Sequence, residues 1–263
     1  MSNLKLALLN IKKNIKNEKE LKTSFIITVI GMAINNTSFL ILWYYFGKTI
    51  GEVNGWTAMD MFGLYGFSTT SYGIVVSVFS GIREIPTYIA TGNLDKYLLT
   101  PKNILMKIST SKLHTSAFGD LIFGLTCFTI YAFWAKLSVI QLLVSFYLII
   151  IASIITYAFT LVSMTISFYL MDGDNVSQGL HGLFISNTTY HGGAFTGVLR
   201  FIFIFIVPSL LCGAIEVEIV KSLNMFSLLM ITLTSLLWFI FSIWFFYKSL
   251  KRYESNSLFG FGS

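Results

Sequence analysis

Six apolar runs, each long enough to cross a lipid bilayer, dominate this chain of 263 residues. A transmembrane helix needs about 20 mostly apolar residues, because it rises about 1.5 Å per residue through a hydrocarbon core about 30 Å thick. The fourth run exceeds that length, so its helix must tilt or extend beyond the bilayer. The pattern predicts an all-α membrane protein, a single transmembrane domain over residues 1–263 with spans at residues 24–46, 59–80, 113–134, 139–171, 198–215 and 226–247.

The composition supports a membrane protein. Hydrophobic residues make up 55% of the chain and charged residues only 11%, whereas soluble domains carry roughly a quarter charged residues. The net charge of +6 comes from basic residues near the ends of the apolar runs, and they do not form one patch with interleaved aromatic residues. We therefore expect the lipid bilayer as a partner and no nucleic acid.

The basic residues also predict the orientation, since Lys and Arg flanking spans are retained on the cytoplasmic side. Fifteen of the 18 Lys and Arg residues, Arg200 among them, precede the first run, follow the sixth, or lie in the connections after the second and fourth. Lys48, Lys136 and Lys221 lie on the other side. This distribution predicts a multi-pass protein of the cell membrane with both termini in the cytoplasm.

Enzyme and metal chemistry have no recognisable pattern in the sequence. Cys127 and Cys212 fall within apolar runs, and the three histidines do not have zinc-ligand spacing. There is no GxSxG motif. The Gly-Lys-Thr at residues 47–49 is similar to the end of a P-loop, but Leu42 stands where that motif needs its first glycine. We expect no catalytic, metal or cofactor-binding residue, and hence no enzyme activity of the chain by itself.

Residues 1–23 precede the first run and combine lysines with regularly spaced apolar residues. The apolar residues recur at intervals of three or four, at Leu4, Leu8, Ile11 and Ile15. This helical period favours an amphipathic helix at the membrane interface, with its lysines towards anionic headgroups. The alternative is a soluble charged tail.

Small residues line one face of the second run. Their spacing confines them to about 80° of a helix, and they are Gly63, Gly66, Thr70, Gly73, Ser77 and Gly81. Such faces let membrane helices approach closely. Packing within the chain is the favoured explanation, over a subunit interface or a pathway lining.

Several polar residues fall inside the runs, where some must face protein or water. The candidates for a pathway lining, or for packing between helices, are Asn35, Asn36, Ser68, Thr70 and Asp120. A proton relay would usually show several ionisable groups, and Asp120 is the one acidic residue clearly within a run. We favour a hydrogen-bonded structural carboxylate for Asp120, with a pathway or gating role as the alternative.

The connection at residues 82–112 is the long polar one between apolar runs. Pro86 suits the first turn of a short helix, and Gly92 suits its left-handed end. A second short helix follows. The sequence thus predicts a helical elbow that presents leucines on the cytoplasmic side: Leu94, Leu98 and Leu99.

This connection resembles the G-x-L-D-x-x-L-L-x-P loop of type-2 ATP-binding-cassette (ABC) exporter permeases, through Gly92, Leu94, Asp95, Leu98, Leu99 and Pro101. The tail from Leu250 to Ser255 is similar to the L-K-R-Y-E-S ending of the same subgroup. Leu199-Arg200, leading to Pro208, is a weaker third match. The chain departs from the pattern at Ala90 and Thr91, where the subgroup often has an arginine. With six spans and cytoplasmic termini, the resemblance covers essentially the whole chain.

The resemblance implies a half-transporter. Two six-span permease subunits, forming a homodimer or a heterodimer, would assemble with two cytoplasmic ATPase subunits that bind ATP and magnesium. The elbow would be the coupling helix seated in a groove of the ATPase, and its coupling residues would be Gly92, Leu94, Asp95, Leu98 and Pro101. The permease would then form half of an export pathway.

Two other function classes stay open. An ion- or proton-coupled secondary transporter is disfavoured by the scarcity of charges within the runs and by the absence of an obvious inverted repeat. A membrane scaffold or sensor subunit would bind a partner and stimulate an ATPase without moving a substrate.

Overall fold

The computed structural model describes residues 9, 10, 12, 22–99, 103–170 and 172–253. These residues form helices and no β-strand. Four short 3-10 turns lie among the α-helices. In chain order the α-helices are α1 Lys22–Ile50, α2 Asp60–Phe79, α3 Ile85–Ala90, α4 Asp95–Leu98, α5 Ile104–Ser109, α6 Ser116–Trp134, α7 Val139–Thr165, α8 Gly173–Thr188, α9 Gly197–Phe205, α10 Ala214–Ser222 and α11 Met225–Leu250.

Among these residues, five helical segments are long and apolar enough to cross a membrane. They match five of the six apolar runs, and they are Phe25–Ile50, Asp60–Ala90, Ser116–Trp134, Val139–Tyr169 and Met225–Leu250. The fourth segment has 31 residues, about 46 Å of helix, so it is long enough that it must tilt or extend past the hydrocarbon core.

The helices define two ends of the bundle. Residues 80–112, which we call the elbow, mark one end, where the turn after α7 meets the last turns of α11 through the rings of Phe168 and Phe246, 6.3 Å apart. The opposite end holds the loop at residues 51–59 and the start of α7, where Gln141 Nε2 donates to the Val220 carbonyl over 2.8 Å. We call it the hairpin end, because residues 197–222 form a hairpin there.

The fifth predicted span, at residues 198–215, does not form one continuous helix. Helix α9 ends before Pro208, which has no N–H to continue it, and α10 starts only after a 3-10 turn at Ser209–Cys212. Cys212 Sγ lies 3.5 Å from Thr156 Oγ1, near the middle of α7. Residues 197–222 therefore enter the bundle from the hairpin end and return to it, and we call them the re-entrant hairpin.

Arg200 consequently lies on the side opposite to the one predicted for it. Its guanidinium donates to the Glu218 carboxylate at the hairpin end. The sequence placed Arg200 with the elbow because residues 198–215 were interpreted as a crossing helix. A chain that turns back at Pro208 keeps both ends of that segment on one side.

Helix α8 runs between the two ends of the bundle, as the fifth predicted span was expected to do. Its first residue, Gly173, packs on Ser167 beside the elbow. Its last residue, Thr188, contacts Gly213 of the re-entrant hairpin through its carbonyl oxygen. Its 16 residues cover about 24 Å. Hydropathy does not single out this segment because the helix is polar: Asp174, Asn175, Gln178 and Ser186 are exposed along it.

The small face of α2 packs against α6. A Cβ added to Gly66 would lie 2.8 Å from Phe128 Cα, closer than real Cβ atoms approach. Aromatic rings fill the spaces beside this contact, with Phe67 and Phe128 centred 5.5 Å apart. The favoured explanation of the small residues, packing within the chain, is confirmed at this contact.

Candidate functional sites at the two ends of the bundle

The elbow begins as the sequence predicts. Helix α3 has Pro86 in its first turn, and Gly92 follows it with φ at +68°. A third short helix, α5, is also present; Asn103 caps it by accepting from the Met106 N–H over 3.0 Å. Pro101 lies outside the described residues.

Leu94 is oriented differently from the prediction. Its side chain is 0% exposed and packs with Ile82, Ile85 and Phe246 in the core of the elbow. The chain reverses at Gly92, so that the Leu94 N–H donates to the Tyr88 carbonyl and the side chain points inward. Of the three leucines expected at the surface, only Leu98 and Leu99 are exposed, by 46% and 84%.

The loop motif and the tail motif meet in this core. Leu250 and Tyr253 of the tail pack against the cluster that contains Leu94. Burial and the nearby Asp95 carboxylate together raise the pKa of Tyr253 to about 12. Two motifs separated by about 150 residues of chain thus pack together. Glu254 and Ser255 lie outside the described residues.

The predicted interfacial helix at residues 1–23 lies largely outside the described residues. Within it, Asn10 Nδ2 lies 3.3 Å from Thr110 Oγ1. This contact places Asn10 next to the elbow.

A polar chain of contacts links the elbow to α8. Arg83 Nη1 donates to the Tyr72 hydroxyl of α2 over 3.3 Å, and the Tyr72 ring is stacked on His181 of α8 with centroids 6.4 Å apart. Thr160 Oγ1 lies 3.4 Å from His181 Nδ1. No sequence pattern indicates this group, because its members come from two distant segments, residues 72–83 and 160–181, and share no motif.

The polar candidates within the spans do not form one site. Asn36 Nδ2 donates to Asp120 Oδ1 over 2.7 Å, which ties α1 to α6, and Asp120 is 3% exposed. This contact supports the structural interpretation of Asp120. Asn35 is exposed on α1, whereas Ser68 and Thr70 are buried in α2 with hydroxyl oxygens that have no hydrogen-bond partner.

The hairpin end is held by a second polar network. Lys221 Nζ of α10 donates to the Gly55 carbonyl over 2.7 Å and to Asp60 Oδ2 over 2.9 Å. Trp56 Nε1 donates to Glu218 Oε1 over 3.3 Å, and the same carboxylate binds Arg200. The loop before α2 is thereby fastened to α10, and Glu218 joins α10 to the other arm of the re-entrant hairpin through Arg200.

Metal ligands are not grouped in the part of the chain described here: none of its His, Cys, Asp and Glu residues form a set of three or more that could hold an ion.

The family model described as ABC-2 family transporter protein matches residues 32–257. The chain belongs to this family. As a member of the ABC-2 family it is a multi-pass membrane protein and a permease component of an ABC transporter, which associates with an ATPase subunit. No curated protein matches the chain.

Proposed function

We propose that this ABC-2 permease works in an ATP-driven exporter and couples to a separate ATPase subunit through the elbow. The observation that supports this most directly is the exposure of Leu98 and Leu99 on an elbow whose own core is already filled by Leu94 and its neighbours. Exposed leucines on a folded, packed element are typical of a partner-binding surface.

The elbow packs as one unit against the ends of two long helices. Its core includes Phe246 of α11 and Leu161 of α7, so a push on the elbow reaches the ends of two long helices. Arg83 and Tyr72 extend the same connection to His181 on α8. ATP changes the conformation of such an assembly only if it binds one state more tightly than the other, and the ATPase subunits supply that difference.

The elbow end faces the cytoplasm in this proposal. With Arg200 at the hairpin end, fourteen of the 18 Lys and Arg residues remain on the elbow side and four lie on the other. That imbalance still favours cytoplasmic termini in the cell membrane.

Helix α8 is the fifth of six crossings in this proposal, and its exposed side lines the translocation pathway. Asp174, Asn175, Gln178 and Ser186 are exposed on it. Polar groups facing lipid tails are costly, so such a face is expected to meet water or another protein. A second permease subunit, a copy or a relative, would close the pathway on that side.

The coupling role is tested by the double variant Leu98→Glu, Leu99→Glu in the full chain. We expect it to insert in the membrane but to lose copurification with the ATPase subunit and ATP-dependent transport. Met225→Glu is the matched control, since Met225 is a 74% exposed apolar residue at the hairpin end. Unaltered assembly and ATP-coupled transport in the double variant would rule out coupling through these leucines.

A further inference from the structure

An apolar groove lies between α2, α5, α7 and α11, apart from the partner-binding leucines and the re-entrant hairpin. Its volume is about 380 Å³, within the range of ligand-binding sites. Five half-buried side chains form its walls: Ile74, Phe79, Ile154, Phe239 and Ile243. Because α2, α7 and α11 are candidate spans, most of this groove lies where a bilayer has its hydrocarbon.

The groove has polar groups at one end. At the elbow, Ser109 Oγ and Tyr157 Oη lie 2.9 Å apart, and the Tyr247 hydroxyl donates to Asn103 Oδ1 over 3.1 Å. Asn103 is exposed. The remaining walls are apolar except for Ser153.

The groove also runs along the helices. On α7 its lining residues run from Ile150 to Tyr157, about 10 Å of helix, and on α11 they are Phe239 and Ile243. Tyr247 lies one turn beyond Ile243, where it bonds to Asn103 at the polar end. An apolar groove with a polar end at the membrane interface suits a lipid, with the acyl chain in the groove and the headgroup at the elbow.

The charge at the polar end favours an anionic headgroup. Lys251 follows Tyr247 by one helical turn and is exposed. Lys248, in the last turn of α11, lies over the ring of Trp244, and Arg252, just after the helix, lies over the ring of Tyr169. Each cation near the headgroup region attracts anionic lipid.

We propose that this groove binds one acyl chain of an anionic glycerophospholipid, with the headgroup phosphate at Asn103, Tyr247 and Lys251. The proposal does not depend on export or on the ATPase. Lipid bound there would bridge the elbow and α11, so the occupancy of the groove would affect how firmly the elbow is attached to the bundle.

The test is native mass spectrometry of the purified full chain with phosphatidylglycerol or phosphatidylcholine. We expect the wild type to prefer phosphatidylglycerol by about fivefold per headgroup cation. Ile154→Trp, which fills the groove, should lose both lipids, and Lys251→Gln should lose the preference alone. Leu237→Trp, at a 67% exposed position of α11 outside the groove, is the matched control and should bind as the wild type does.

Unchanged phosphatidylglycerol binding in Ile154→Trp overturns the proposal. A change of oligomeric state with lipid binding intact would assign the groove to a second copy of the chain, and new proteolysis within residues 1–21 with lipid intact would assign it to that segment. Ile243→Phe fills the same groove more gently, so it decides the question if Ile154→Trp does not fold.

Discussion

Lys221 Nζ lies 2.9 Å from Asp60 Oδ2 and joins the return arm of the re-entrant hairpin to the first residue of α2. The Asp60 side chain is 2% exposed and also accepts from the Thr57 N–H and hydroxyl. A buried carboxylate that loses its cationic partner is left under-satisfied, whereas the Lys221 side chain, 40% exposed, can turn to water. Breaking this ion pair therefore costs free energy mainly because Asp60 stays buried without its cationic partner.

Lys221→Gln should loosen the hairpin, because Asp60 keeps only its bonds to Thr57. We expect a loss of roughly 1–3 kcal/mol in the free energy of unfolding and faster maleimide labelling of buried Cys212 in a Cys127→Ala background. Lys136→Gln, at an exposed lysine of the same end, is the control. Equal labelling rates in the two variants would show that the ion pair does not hold the hairpin.

Gly92→Ala should destabilise the elbow through its backbone alone. The position has φ at +68°, and nothing lies within 4 Å of an added Cβ, so the cost is the strain of a left-handed alanine, about 1 kcal/mol or more. Gly31→Ala is the matched control, since that helical site is equally open. Hydrogen exchange of residues 80–99 measures the effect; equal exchange in both variants contradicts the prediction.

Alkaline pH should weaken the contact between elbow and tail. The pKa of Tyr253 is raised from 10.0 to about 12 by burial and by Asp95, so the folded state holds this proton more tightly than the unfolded state does. The resulting stability is complete below pH 10 and is lost as the pH rises through 12. The difference between the ultraviolet pH titrations of the wild type and of Tyr253→Phe should show one phenol ionising near pH 12. Ionisation near pH 10 would place the Tyr253 hydroxyl in water.

Tyr72→Phe should separate ATPase binding from the response of α8. The variant keeps the ring on His181 but loses the bond from Arg83. In the assembled transporter we expect normal ATPase binding and a smaller nucleotide-dependent change in hydrogen exchange over residues 173–188. Tyr147→Phe, which removes a hydroxyl contact to Thr232 elsewhere, serves as the control. An undiminished change in Tyr72→Phe would exclude this route.

Local signals predicted those parts of the fold that depend on few neighbours. Apolar length alone located five candidate spans. The backbone preferences of proline and glycine correctly predicted that a short helix starts near Pro86 and that the chain turns at Gly92. The direction of Leu94 depends on how α7 and α11 pack against the elbow, which no local pattern contains. The hydropathy of residues 198–215 fits a crossing, but the break at Pro208 and the contacts of Arg200 and Lys221 decide otherwise.

The polar side of α8 has a consequence for a newly made copy of this chain. In a bilayer without the proposed second permease subunit, Asp174 and Gln178 would lie against lipid tails or draw water in with them. Both arrangements would raise the free energy of the lone subunit. Covering that side with the proposed second subunit would release the same free energy, so the chain would gain part of its stability on assembly. Copies of the chain made in surplus over that subunit would then be less stable than assembled ones.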